Sequence, residues 1–280
     1  MEKRQKYCTI GALRTRRFLI TAVTAVIALA AVIYFSVFCR VKLVTVENNE
    51  KVTDTVIQTT MDIRPYRHLY SIGTRKTEKE ILALSPYVKS VSLKRNLPSE
   101  LVIVLEEYTA RYYIIEDDIC YLLSDTLFVL EELPLSEIDT KTVAYLQIPE
   151  IDKTNDRFAV GKTIRFTDKE DGEYVNHMLK TVSESALGDA VTSLSLHEKA
   201  NITAEIDGKY LIKLGNKKEM SEKLALCYES IQYLRKTVTG VKGTLHAWTT
   251  KNLTFEITGV AENPYISFSD FWDIAYFDFL

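Results

Sequence analysis

The side chains that could do chemistry in this chain are scattered along its 280 residues. The histidines stand singly, without HExxH or HxH spacing and without cysteines at ligand distance; they are His68, His177, His197 and His246. Common zinc sites need two or more such ligands at short, defined spacings. The sequence also lacks Gly-x-Ser-x-Gly and Ser-x-x-Lys nucleophile motifs. It therefore predicts no metal site, no cofactor and no catalytic residues.

Two groups of acidic residues, Asp117-Asp118 and the set from Asp168 to Asp171, are the closest approach to a carboxylate site. Both fall between predicted elements, where Asp is expected for its hydrogen bonds to the backbone. Neither has the alternating oxygen ligands and distal Glu of a calcium loop. We interpret both as turns.

The four cysteines do not form a disulfide framework. Cys8 and Cys39 flank an apolar segment, and only Cys120 and Cys227 lie well inside the rest of the chain. Cys227 falls on the apolar side of a predicted helix, where a thiol is usually a small buried hydrophobe.

Residues 18–38 contain no charge, no Pro and no Gly. As a helix with ~1.5 Å rise per residue, this run spans the ~30 Å hydrocarbon core of a bilayer. Residues 1–17 carry a net charge of +5, so the positive-inside rule predicts that this basic tail stays in the cytoplasm. The alternative is a cleaved signal peptide, but the apolar run is longer than the ~7–15 residues typical of one.

Residues 39–280 are acidic: the whole chain carries −3, and this part carries −8. Such a balance argues against nucleic acid as a partner and against docking of the exterior part onto anionic lipid. Its length allows two domains of ordinary size.

The first exterior stretch predicts a small module of order β-α-α-β-β, with a capping box at Thr77 and Glu80 opening the second helix. Val91, Leu93, Ile103 and Leu105 are expected to face its helices. The predicted strands are 41–47, 87–95 and 99–107, and the predicted helices are 53–61 and 77–85.

The second stretch is strand-rich and contains two amphipathic helices. Asp117-Asp118, Asp125-Thr126 and Asp207-Gly208 are predicted tight turns, the last joining a hairpin. The predicted helices are 171–187 and 217–236, and the predicted strands are 111–116, 119–124, 127–132, 142–150, 191–196, 201–206, 209–214, 242–248 and 252–259.

One segment, LALSPYVKSVSLKRNLPSELVIVLEE at 82–107, resembles the POTRA module of bacterial FtsQ/DivIB cell-division proteins. In that family a helix ends in Leu-x-x-x-Pro-x-Val, an alternating strand follows, and an Arg-x-x-Pro turn leads into a strand ending in Glu. The matching positions are Leu82, Pro86, Val88, Val91, Leu93, Arg95, Pro98, Leu101, Ile103, Leu105 and Glu107. The YYIIEDDICYLLSDTLFVLEE segment is similar to the start of the family's β domain, although Thr126 or Leu127 replaces its turn Gly.

The resemblance implies an α+β chain with a POTRA domain at 39–108 and a β domain at 109–262. The residues themselves predict the cytoplasmic tail 1–17, the transmembrane helix 18–38 and an aromatic tail at 263–280. The resemblance also implies a non-enzymatic divisome scaffold in the bacterial cytoplasmic membrane, enriched at the septum, that binds FtsB/DivIC-like and FtsL-like single-pass proteins. The alternative is a membrane-anchored cell-wall enzyme or its accessory subunit.

The expected partner-binding region is the last strand, 252–258, open at the sheet edge, with Trp248, Leu253, Phe255 and Ile257. An internal position for this strand is the alternative. In the tail, Phe268, Trp272 and Tyr276 share one face of a predicted helix. That face either packs on the β domain, binds a partner or covers the strand edge.

Overall fold

The protein is described here from a computed structural model, covering residues 10–61, 67–152, 157–237, 240–251 and 253–260. It divides into two compact units between Glu107 and Tyr108. The first begins with helix α1, Ile10–Phe38. Within it, Arg16–Phe38 is long and apolar enough to cross a membrane, and none of this stretch is buried in the protein.

The rest of the first unit has the predicted β-α-α-β-β order. Its elements are β1 Leu43–Glu47, α2 Asp54–Thr60, α3 Thr74–Leu82, β2 Val88–Asn96 and β3 Glu100–Glu107. A short 3-10 turn, Leu69–Ser71, precedes α3. The sheet order is β1-β3-β2, with β1 parallel and β2 antiparallel to the central strand β3.

The core of this unit lies between its sheet and its helices, and the predicted faces are correct. Ile103 and Leu105 of β3 are buried with Ile57 of α2 and Ile81 of α3. Val91 and Leu93 of β2 pack against this cluster and are half-buried.

The predicted capping box of α3 is wrong. The helix begins at Thr74 with Gly73 as its N-cap, and Thr77 is buried within it. The Arg95 guanidinium donates to the Thr74 hydroxyl at 2.8 Å and to the Ile72 carbonyl at 3.0 Å. This contact from a distant strand favours the earlier start.

The described part of the second unit has nine strands and two α-helices, as predicted, and the nine strands form one sheet. Its strands are β4 Tyr112–Glu116, β5 Ile119–Leu123, β6 Val129–Pro134, β7 Ala144–Gln147, β8 Val191–Ser195, β9 Ile202–Ile206, β10 Tyr210–Gly215, β11 Val241–His246 and β12 Thr254–Val260. Its helices are α4 Lys169–Glu184 and α5 Met220–Thr237. The strand order is β12-β11-β10-β9-β8-β7-β4-β5-β6.

Both helices contribute their apolar sides to one core shared with the sheet. On α5 the predicted stripe is buried throughout: Met220, Leu224, Cys227, Ile231 and Leu234. On α4, Val175, Met178 and Val182 are buried, but the helix ends at Glu184 and Ala186 is exposed. The 3.6-residue period therefore predicted the buried faces better than the helix ends.

Two predicted acidic turns have the expected backbone geometry. Asp117 and Asp118 both adopt positive φ, 49° and 64°, between β4 and β5. Asp207 and Gly208 do the same, 54° and 62°, between β9 and β10. Two successive residues at positive φ give the hairpin turn whose twist matches that of the strands it joins.

Candidate partner-binding edge

The described part of the large sheet ends at β12. This strand pairs with β11 in antiparallel register, from Val241 opposite Val260 to His246 opposite Thr254. Among the described residues no strand pairs with its other side. An unpaired side of this kind offers N–H and C=O groups to a strand from another chain.

The two faces of β12 differ sharply. Leu253, just before the strand, and Phe255 are 4% and 6% exposed and belong to the core, and Ile257 packs against it. Thr254, Glu256 and Thr258 are exposed on the opposite face. Leu253 and Phe255 therefore support the strand from inside, and an added strand would meet the backbone of β12.

A glycine of β11 permits the close packing of Phe255. A Cβ atom at Gly243 would lie 2.4 Å from the Phe255 ring and 2.5 Å from the Glu256 carbonyl oxygen. A longer side chain there would push β12 away from β11. The register also shifts by one residue between Lys242 and Gly243, so the strand pair is bulged at this point.

Trp248 lies at the start of the β11–β12 loop and is 60% exposed. Its ring meets the His246 ring edge-on, with centroids 5.2 Å apart. On its other side it packs over Gly215, where an added Cβ would lie 3.3 Å from Cδ1 of the indole. Exposed, braced aromatic rings of this type are common anchors of protein interfaces.

A buried lysine, missed by the sequence analysis, holds the backbone beneath Trp248. Lys223 on α5 is 2% exposed, and its ammonium donates to the Leu214 carbonyl at 2.8 Å and the Asn216 carbonyl at 3.1 Å. Burial lowers the pKa of this ammonium. The sequence did indicate that Lys223 would be buried, because it lies three residues after Met220 and four before Cys227, on the buried side of the helix.

The described residues contain no group of His, Cys, Asp and Glu that could hold a metal ion. Cys39, Cys120 and Cys227 are free and buried. Burial raises the pKa of the Cys227 thiol to about 12, so it carries no thiolate near neutral pH.

Two cavities in the second unit were candidates for an enzyme site. One, of about 480 Å³, is lined in part by Glu116, Arg157 and His197. Glu116 forms an ion pair with Arg157, and His197 Nδ1 lies 3.2 Å from the Ile148 carbonyl oxygen. The other, of about 650 Å³, is lined by residues of α4 and by lysines, including Lys199, which pairs with Asp171. Neither lining includes a Ser or Cys nucleophile.

In the first unit, two residues of the sequence motif have clear structural tasks. Arg95 reaches from β2 to the segment before α3, with Nε 3.3 Å from the Leu69 carbonyl oxygen in addition to its bonds to Ile72 and Thr74. Glu107 closes the opposite end of the sheet. Its carboxylate accepts three backbone N–H groups, from Glu50, Lys51 and Val52, at 2.8–3.1 Å.

Comparison with known proteins agrees with the fold of the first unit. Residues 39–108 match the model of the FtsQ-type POTRA domain. The chain is also 28% identical over 95 residues to the cell division protein DivIB of Clostridium tetani (strain Massachusetts / E88), covering 34% of this chain and 36% of that protein. The match thus spans about a third of the length of each.

Residues 39–108 are thus similar to the FtsQ-type POTRA domain, and the chain resembles the FtsQ/DivIB cell-division proteins. This confirms the predicted resemblance, the α+β class and the order of an apolar helix, a POTRA domain and a strand-rich domain.

One departure from the FtsQ/DivIB pattern has a structural explanation. The family's turn Gly corresponds here to Thr126 or Leu127, and Leu127 adopts a positive φ of 59° while its side chain is buried. A glycine reaches this conformation without steric cost. In this chain, burial of the Leu127 side chain in the core stabilises the positive-φ conformation.

The predicted partner-binding residues fall into two groups. Trp248, Leu253, Phe255 and Ile257 come together on the β11–β12 hairpin, with Trp248 exposed and the other three turned toward the core. Phe268, Trp272 and Tyr276 lie outside the described residues. Whether the first group binds a partner stays a prediction.

Proposed function

We propose that this chain is a non-enzymatic scaffold of the division machinery, held in the cytoplasmic membrane by α1. Residues 1–17 lie in the cytoplasm, and the POTRA and β domains lie outside. The FtsQ-type POTRA match and the similarity to a DivIB protein support a role in division, and the length and apolar character of α1 support the anchor. The basic charge of residues 1–17 supports the orientation.

The partner surface is the open side of β12 together with Trp248. The observation that carries this proposal is that β12 pairs only with β11 among the described residues. A single-pass protein of the FtsB/DivIC or FtsL type would add an extended segment to this strand. Backbone hydrogen bonds would supply the pairing, and Trp248 would anchor a side chain beside it.

The first experiment compares two exposed apolar side chains of the β domain. Trp248→Ala removes the ring beside β12, and the matched control Leu135→Ala removes a side chain that is 51% exposed and lies after β6, at the other end of the sheet. Partner affinity is measured with the full chain in detergent and a purified DivIC-like partner. We expect Trp248→Ala to weaken binding by about tenfold or more and Leu135→Ala to leave it unchanged.

A second experiment addresses the backbone directly. Thr254→Pro removes one N–H from β12, and Thr254→Val serves as the control that keeps the donor. We expect the Pro variant to lose partner binding and the Val variant to keep it. A folded Pro variant that binds normally would show that the partner uses another edge. If the Trp248→Ala variant binds the partner as tightly as the parent chain does, Trp248 does not contribute to the partner surface.

A further inference from the structure

The end of the POTRA domain next to α1 is joined to that helix by a histidine. His68 Nδ1 accepts the Tyr70 backbone N–H at 3.3 Å, so the ring proton lies on Nε2. Nε2 then donates to the Phe35 carbonyl oxygen, 3.1 Å away in the last turn of α1. The His68 ring therefore links the last turn of α1 to the 3-10 turn.

Backbone hydrogen bonds continue this junction. The Leu69 N–H donates to the Cys39 carbonyl at 2.8 Å, and the Val41 N–H donates to the Arg67 carbonyl at 2.9 Å. Cys39 and Leu69 are 1% and 0% exposed. The segment 67–71 is thus held directly beside the residues at which α1 ends.

The turn between β2 and β3 lies at this same end of the sheet. The Lys42 N–H donates to the Ser99 carbonyl at 2.9 Å. Two large side chains are exposed here: Leu97 in that turn, at 57%, and Tyr70 in the 3-10 turn, at 55%. Neither contributes its apolar surface to the POTRA core.

Positive and negative charges are unevenly distributed along the sheet of the domain. Arg40, Lys42 and Arg67 are exposed at the end beside α1. The acidic Glu100, which also lies at this end, accepts hydrogen bonds from Thr45 and Asn96. The far end has two lysines, Lys51 and Lys89, but more carboxylates: Glu47 at the end of β1, Glu50 beside the Glu107 carboxylate, and Glu106 paired with Lys89. The net charge of −8 for residues 39–280 conceals this local basic end.

We propose that this end of the POTRA domain docks on the leaflet where α1 leaves the membrane. Arg40, Lys42 and Arg67 bind anionic lipid headgroups, and Tyr70 and Leu97 enter the interfacial layer. Aromatic and basic side chains prefer this depth of a bilayer, and each Lys or Arg near an anionic surface strengthens attachment roughly fivefold. The proposal rests on the membrane-spanning role of α1 proposed above.

The test places a fluorescent label at each end of the domain. A Cys8→Ser background leaves the described cysteines, which are buried. Leu97→Cys or Glu50→Cys is added to the full chain, labelled with an environment-sensitive dye and reconstituted into vesicles that contain headgroup-level spin-labelled lipid. Flotation of the vesicles first verifies that α1 is inserted. A chain that does not float with the vesicles would contradict the proposed membrane anchor. A chain that floats but shows no docking of this end would contradict only the docking proposal.

In vesicles with phosphatidylglycerol, we expect quenching at position 97 to exceed that at position 50 by roughly twofold or more. Equal quenching at the two positions in floating vesicles would overturn the proposal.

The basic side chains are tested by Lys42→Gln with Arg67→Gln. This pair should reduce quenching at position 97 to its level in phosphatidylcholine vesicles. The matched pair Lys51→Gln with Lys89→Gln removes the same charge from the far end and should have no effect. Equal quenching in both lipid mixtures, or equal effects of the two pairs, would overturn the headgroup contact.

Discussion

The two domains of this chain are stabilised in different ways. The POTRA sheet has three strands and a described core of eleven buried apolar side chains, whereas the β domain has nine strands and thirty-three. In the small domain, charged side chains hold loops to the sheet: Arg95 binds the segment before α3, and Glu107 binds the segment before α2. In the large domain, Lys223 performs this task from within the core.

This difference shows how domain size affects what a sequence reveals. A small core buries too little apolar surface to hold long connections, so the POTRA domain uses charged residues at the sheet ends. These residues give it a recognisable motif. The large core holds its connections mainly by apolar packing, and many hydrophobic combinations satisfy such packing.

The largest expected effect is in the POTRA core. Ile103→Ala removes a fully buried side chain from β3 and should cost about 2–5 kcal/mol of unfolding free energy. Ile212→Ala on β10 should lower the unfolding free energy of the β domain by a similar amount, which is a smaller fraction of the total stability of a domain with a larger core. Deuterium uptake of the full chain should rise across 88–107 for the first variant. An equal loss of protection in both domains would mean that they unfold as one unit.

Next in size is the buried lysine. Lys223→Met keeps the volume but leaves the Leu214 and Asn216 carbonyls without their donor, at about 1–3 kcal/mol for each group that stays buried. Thermal melting of the β domain measures the loss. A variant as stable as the parent would show that apolar packing alone holds this turn.

Lys223 also predicts a pH dependence. Burial lowers its folded-state pKa below the ordinary 10.5, so in this interval the unfolded chain binds more protons than the folded one. Stability should therefore rise with pH from the folded pKa up to 10.5. The difference in unfolding free energy between parent and Lys223→Met, followed across this interval, should grow in the parent's favour. A flat difference would contradict the lowered pKa.

In the POTRA domain, Glu107→Ala removes the acceptor of three backbone N–H groups. Since hydrogen bonds to charged groups contribute about 1.5–3 kcal/mol each and two of these donors belong to exposed residues, we expect a loss near the lower end of that range. Glu106→Ala, which removes a largely exposed carboxylate paired with Lys89, is the matched control and should cost less than about 1 kcal/mol. Equal losses would remove the structural role assigned to the family's Glu.

The smallest effect is expected at Leu93, which faces the same core as Ile103 but is only half-buried. Leu93→Ala should lower the melting temperature less than Ile103→Ala does. Ser92→Ala, on the opposite face of β2, should leave it unchanged. A larger effect from Ser92→Ala would place the β2 register one residue away from the pairing of Leu93 with Ile103.

Local patterns in the sequence determined much of the fold. Strand alternation placed Val91, Leu93, Ile103 and Leu105 on one face, and helical spacing placed Met220 to Leu234 in the core, as the structure confirms. The uninterrupted apolar run predicted α1. These features depend on the period of one element, so neighbouring residues suffice to reveal them.

Contacts between distant segments decided the rest. Helix α3 begins at Thr74 and not after the predicted N-cap Thr77, because Arg95 of a later strand donates a hydrogen bond to the Thr74 hydroxyl. The task of Lys223, the glycine required at position 243 and the edge position of β12 also depend on residues far apart in the chain. His68 shows the same limit: only the folded chain brings it to the end of α1. A sequence specifies the period of each element directly, whereas which elements meet follows from the packing of the whole domain.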